Sequence, residues 1–227
     1  MSFVLAAGSY TFDWTVVWYN SGLLLRALRI TFEISIVAEI LSLVVGLLIA
    51  ILRVQKSRPL QWLAIGFIDF FRAVPLLVLL IWLYYGVTII TGLSFSAFQA
   101  GVIGIGLLYG ANLAEIFRAG LEAVPTGQRE AALTLGLSRR QALQSVVLPQ
   151  AVRISIPPLG NMWIGVLKDS TLVSILGIQE IMRTAHNVVL TNFRPFEIYT
   201  TVAVIYLILV FIFSRLIAVL ERRMPLR

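Results

Sequence analysis

Long apolar runs separated by short polar or basic segments organise this chain. They cover residues 22–52, 60–87, 96–117, 156–178 and 197–219, and each is near or above the roughly 20 residues of helix that cross a bilayer. The pattern predicts an all-α, polytopic membrane bundle of about five transmembrane helices. Before the first run, residues 1–21 lack a basic start and carry Asp13, Trp14, Trp18 and Tyr19. That segment reads as an interfacial or extramembrane lead-in rather than a signal peptide. Residues 221–227 read as a short tail.

The interruptions carry the next layer of information. In the first run Arg29 and Glu33 stand four apart and can pair on one helix face, with Arg26 nearby. Glu39 lies deeper, where an unpaired carboxylate costs on the order of several kcal/mol. It reads either as lining for a polar path or as a hydrogen-bonding group between helices. In the second run Asp69 and Arg72 are three apart and are expected to form a structural pair, and Pro75 predicts a kink or break. Gly101, Gly104, Gly106 and Gly110 predict close helix contact in the third run. Asn112 near its end suits packing or path lining equally. Lys168, Asp169, Ser170 and Thr171 interrupt the fourth run. Adjacent charges on a helix point apart, so they need separate partners or a local break, and broken helices often line transport paths.

Composition sharpens the class. Hydrophobic residues make up 59% of the chain and charged ones 13%, about half the usual share for a soluble domain. The net charge of +7 sits in the connectors, not in a nucleic-acid-binding face. Five passes with the N-terminus outside would leave Arg53, Lys56, Arg58, Arg118, Arg129, Arg139, Arg140, Arg153, Arg222, Arg223 and Arg227 inside, and only Arg183 and Arg194 in the outer 179–196 segment. The positive-inside rule therefore predicts N-terminus out and C-terminus cytoplasmic. With no cysteine and one histidine, His186, a Cys- or His-built metal site is excluded, and no nucleophile–base constellation points to an enzyme. No catalytic residue and no metal ligand is assigned.

Residues 118–155 form the most structured connector. Thr126 can cap a short helix through Ala131, Ala132 and Leu133, and Gly136 can end it in a left-handed turn. Ser138 and Gln141 have capping-box spacing for a second helix running toward Pro149. The prediction is helix, glycine bend, helix. Local physics allows two roles, a docking knob for a soluble partner or a hairpin that closes the bundle.

At Glu130-Ala131-Ala132, Gly136, Val146 and Leu148-Pro149 the chain resembles the membrane subunits of bacterial ABC importers, in the polar amino acid permease branch. The likeness extends to Gly127-Gln128-Arg129, Phe71 through Leu77, Ala114 through Arg118, Gln150 through Arg153 and Lys168 through Leu172. It departs from the branch pattern at Ala73, Val146, the Ser170-Thr171 order, Glu33 and Glu39. The resemblance implies a type I importer permease domain over residues 22–220, in the bacterial inner membrane. Its cytoplasmic coupling helix (Gly127, Glu130, Ala131, Ala132, Gly136, Val146, Leu148, Pro149) would dock on a separate ATP-hydrolysing subunit. It implies two such ATPases holding ATP and Mg, a second permease chain, identical or homologous, and a solute-binding protein. No cofactor is expected in this chain, which has no phosphate-binding loop of the G-x-x-x-x-G-K-[ST] form. The implied cargo is a polar or charged L-amino acid, on a path including Glu39, Asn112, Lys168, Asp169, Ser170 and Thr171. Competing readings are import of an opine or compatible solute, and a non-conducting structural subunit.

Overall fold

The computed structural model describes residues 10–55 and 57–223, and every regular element among them is helical. In chain order these are α1 (Thr15–Arg53), α2 (Arg58–Ala73), α3 (Leu76–Ile81), α4 (Val87–Thr91), α5 (Ala97–Glu122), α6 (Thr126–Thr134), α7 (Arg139–Ala142), α8 (Leu148–Asp169), α9 (Ile181–Asn192) and α10 (Pro195–Arg223). Single π turns at Trp82–Gly86 and Leu143–Val147 join α3 to α4 and α7 to α8, and a 3-10 segment, Ser170–Leu176, extends α8.

The core is the contact of α1 with α5. Small residues recur along one face of α1, with Ala27, Thr31, Ser35, Ala38, Ser42, Gly46 and Ala50 all buried. Their hydroxyls turn back on the helix: Ser35 Oγ donates to the Thr31 carbonyl at 2.7 Å and Ser42 Oγ to the Glu39 carbonyl at 2.8 Å. The face is thereby left smooth enough for backbones to approach. A Cβ added at Gly46 would lie 2.7 Å from Leu113 Cβ and 3.0 Å from the Gly110 carbonyl, and one at Gly110 would lie 2.7 Å from Val45 Cγ1. Around this seam Ile34, Leu80, Ile105, Val166 and Val173 close the main apolar cluster.

The second apolar run does not cross as one rod. Val74 and Pro75 are extended (ψ 127° and 136°), and α2 meets the α3–α4 arm at 104°. Pro75 removes a helical N–H and also drives the preceding residue out of helical backbone. By length and composition three helices among the described residues can cross a membrane, or four if the bent pair is one broken span. Four of the expected five runs are thus met by helices of spanning length, counting the bent pair as one. The shortfall is at residues 156–178, where the chain is the end of α8 plus the 3-10 segment, and the charges of Lys168 and Asp169 cut its apolar length.

Other boundaries also move. Helix α1 has 39 residues, begins at Thr15 inside the stretch read as a lead-in, and at ~58 Å exceeds the hydrocarbon thickness. The polar 179–195 stretch contains α9, whose Ile181, Ala185 and Val188 pack on Leu24 and Ala27 of α1 and Ile198 and Val202 of α10. Glu180 caps α9, accepting from Met182 N at 2.9 Å and Arg183 N at 2.7 Å. The segment before α1 is tied to the start of α10. The Tyr10 hydroxyl donates to Glu197, as does Asp13 N at 2.8 Å, and Arg194 donates to the Thr11 carbonyl. Thr15, donating to Asp13 from its hydroxyl and backbone N–H, holds that carboxyl below its ordinary pKa.

Candidate functional site

The connector after α5 folds as helix, bend, helix, built by local rules. Pro125, not Thr126, occupies the N-cap and offers no side-chain bond; Thr126 is the first helical residue, which corrects the cap assignment. A fixed φ at Pro125 suits that entry as well as a hydroxyl would. At the far end Gly136 N–H donates to the Leu133 carbonyl at 3.0 Å and Leu137 N–H to the Ala132 carbonyl at 3.2 Å. This bond pair is a Schellman motif, which places Gly136 at φ 84°, where a Cβ is strained. The next helix starts on a reciprocal capping box, Ser138 with Gln141.

From there the chain runs without a break into α8. The π turn falls at Leu143–Val147, with Leu148 N–H reaching the Leu143 carbonyl. The ring of Pro149 would collide with the Ser145 carbonyl in a regular α-helix, and the wider turn relieves that clash. The two legs of this elbow meet at a small apolar root of Val124, Val147 and Ala151, with Leu121 and Ile154 against it.

The coupling candidates divide by exposure. Ala132 is buried in the elbow and Val146 half-buried. Gly127, Glu130, Ala131, Gly136, Leu148 and Pro149 face outward. The Glu130 carboxylate has no ion-pair or hydrogen-bond partner among the described residues, and a Cβ at Gly127 would meet nothing within 4 Å. Among the described residues nothing requires a glycine at 127 or an acid at 130. Leu135 stands 83% exposed at the bend, with Leu133, Leu143 and Leu148 also open, an apolar surface of the kind that meets a partner.

Within the helices the structure joins some path candidates and separates others. Glu39 is buried, accepts from Ser42 Oγ at 3.2 Å, and lines a cavity of about 360 Å³ with Ile156, Gly160, Trp163 and Ile217. Asp169 accepts from the Tyr109 hydroxyl at 2.8 Å. Tyr109 and Asp169 thus form a polar pair that joins α5 to α8. Gly165 makes room for it, since a Cβ there would lie 2.7 Å from the Tyr109 oxygen. Asn112, Ser170 and Thr171 bond carbonyls of their own segments (Leu108, Leu167 and Lys168), and Lys168 is exposed. Tyr109 escapes notice in the sequence because a tyrosine amid apolar residues has no spacing signal.

The expected pairs also divide. Arg29 Nε donates to Glu33 Oε1 at 2.7 Å. Asp69 and Arg72 form no ion pair. A shared helix face permits that pair but does not enforce it for exposed side chains. Among the described residues no group of acidic or histidine side chains could hold a metal ion.

Comparison with known proteins places this architecture. Residues 42–225 match the family described as binding-protein-dependent transport system inner membrane component. The chain belongs to this family. It is an ABC-importer permease subunit of the polar amino acid branch, a multi-pass inner-membrane protein without catalytic activity of its own. The permease is 36% identical over 216 residues to the glutamine transport system permease protein GlnP of Escherichia coli (strain K12), covering 95% of this chain and 99% of that one. It is 39% identical over 216 residues to the Bacillus subtilis (strain 168) protein named "Probable amino-acid permease protein YxeN", covering 94% and 96%. Among solved structures it superposes on an amino acid ABC transporter with histidines at TM-score 0.90 and 34% identity, covering 94% and 100%. An inward-facing MetNI methionine transporter, at TM-score 0.69 and 19% identity, shares the fold.

Proposed function

We infer that the permease moves a polar amino acid of the glutamine type inward, driven by ATP hydrolysis on separate subunits that dock at the α6–α7 elbow. One observation carries the coupling half of this reading. The elbow is capped by its own local hydrogen bonds, yet it leaves Leu135, Glu130 and Gly127 exposed with no partner among the described residues. A hairpin that only closed the bundle would bury its leucines. The cargo half is supported by near full-length similarity to GlnP and to the amino acid ABC transporter.

In this reading the chain crosses the membrane five times, as α1, the bent α2–α4 arm, α5, α8 with its 3-10 extension, and α10. The N-terminus is outside and the elbow and tail are cytoplasmic, as the basic connectors favour. The transmembrane domain spans residues 22–220, with 118–155 as the coupling loop. Two ATPases, a second permease chain and a solute-binding protein complete the transporter. Glu39, Tyr109 and Asp169 line the path. An α-amino acid carries an ammonium and a carboxylate, and a carboxylate beside a hydrogen-bonded hydroxyl offers the former a partner. Asn112, Lys168, Ser170 and Thr171 flank that group as gating or bracing positions.

The test is uptake into proteoliposomes holding the complete transporter, with labelled glutamine, histidine, arginine, an opine and a betaine offered in turn. ATP-dependent uptake of a polar amino acid, lost on Gly136→Val, is expected. Uptake of only the opine or betaine would overturn the cargo, and uptake unaffected by Gly136→Val would overturn the coupling.

A further inference from the structure

Beneath the elbow lies a charged cluster that neither the elbow nor the polar path uses. Arg118, one turn before the end of α5, donates from Nε to Glu115 Oε1 at 3.0 Å and from its terminal nitrogens to Glu115 and Glu122. Glu115 also faces Arg53 Nη1 of α1 at 3.2 Å. All of these except Glu122 are about a quarter exposed, so the pairs are screened far less than surface ones. The cluster bolts the last turn of α1 to the last turns of α5, whose chain enters the elbow three residues after Glu122.

A second contact lies at the same level. A Cβ at Gly120 would sit 3.0 Å from the Ala151 carbonyl of α8, with the Ser155 hydroxyl also in its way. Both legs of the elbow are therefore pressed backbone to backbone at its base, and the incoming leg, α5, is tied ionically to α1. Above that tie, Gly46 and Gly110 continue the close α1–α5 contact toward Glu39.

We propose that Arg118, through Glu115 and Arg53, is a positioning group that makes the elbow root and α1 one rigid body. Displacement at the elbow then reaches the helix carrying Glu39 without loss. This rests on the elbow being the docking site. Packed side chains and ion-pair networks of this kind can carry coupling between elements, and the ion pairs of the cluster join α5 to α1.

The experiment uses the complete transporter in proteoliposomes and reads amino acid uptake per ATP hydrolysed, beside basal ATPase and complex assembly. Arg53→Gln and Glu115→Gln are expected to leave assembly and basal hydrolysis near wild type and to lower the uptake-to-hydrolysis ratio about tenfold. The double variant should be no worse than either single one, since each breaks the same contact. An unchanged ratio would overturn the proposal. Gly136→Val, run alongside, separates the two readings: a Gly136 variant that still transports removes the elbow itself, whereas normal coupling in the cluster variants alone removes only this inference. A second measurement does not depend on the variants folding. Val54→Cys and Gln128→Cys, in a chain with no cysteine of its own, accept spin labels. The distance between them is expected to stay constant between ATP-free and ATP-bound states, and a change above ~3 Å, well beyond side-chain rearrangement in a packed core, would overturn the proposal.

Discussion

The α1–α5 seam and the elbow are both built around glycines, for opposite reasons. At the seam, Gly46 and Gly110 are needed because another helix occupies the space a Cβ would take. At the elbow, Gly136 has nothing within 4 Å and is needed only for its φ of 84°. The first is a constraint between distant segments, and the second is a constraint within six residues. The seam therefore holds the molecule together, while the elbow holds its own shape and leaves its surface for something else.

Substitutions sharpen that contrast. The largest effect is expected from Gly110→Leu, which drives a branched side chain into Val45 and the Ser42 carbonyl. It should cost at least the ~1–3 kcal/mol of core overpacking and lower the thermal midpoint of the detergent-solubilised chain sharply. Gly136→Val comes next. A β-branched residue in left-handed backbone costs roughly 1–2 kcal/mol, but the strain stays in the elbow. The thermal midpoint of the bundle should hardly move, while affinity for the ATPase subunits, read by co-purification, should be lost. Equal effects of the two substitutions on the midpoint would erase the distinction.

Glu39→Gln probes the seam from within. The change is near isosteric and removes a buried charge whose only hydrogen-bond donor among the described residues is Ser42. Stability should hold or rise, because burying an unpaired carboxylate is costly. Uptake should fall at least tenfold, measured with the same labelled amino acid. Ser138→Ala should cost about 1 kcal/mol of local helix stability through loss of the capping box, visible as faster amide exchange at Arg139–Ala142 with transport retained. Arg29→Ala, at a pair 81% and 48% exposed, should change the thermal midpoint by less than a degree or two, consistent with the roughly 0–1 kcal/mol of surface ion pairs.

The same division explains what could be read from the sequence. The bend at Gly136, the box at Ser138 and Gln141, and the break at Pro75 are local events, so their signals lie within a few residues. The helical membrane class follows from run length. By contrast, Tyr109 meets Asp169 across sixty positions of chain, and Glu115 meets Arg53 across sixty-two. Neither leaves a spacing signal. Asp69 and Arg72 show the converse, a pairing that spacing permits and the fold does not use. The interruption of the fourth apolar run at Lys168 and Asp169 is equally local, and there α8 gives way to a 3-10 segment.

The account turns on the elbow being a cytoplasmic docking surface, and Leu135 is its most exposed apolar residue. Leu135→Cys in this cysteine-free chain can be probed with a membrane-impermeant thiol reagent on right-side-out and inverted vesicles. Labelling only in inverted vesicles, blocked when the ATPase subunits are bound, is the expected result. Labelling from the outside, or labelling that the bound ATPase leaves untouched, would contradict it.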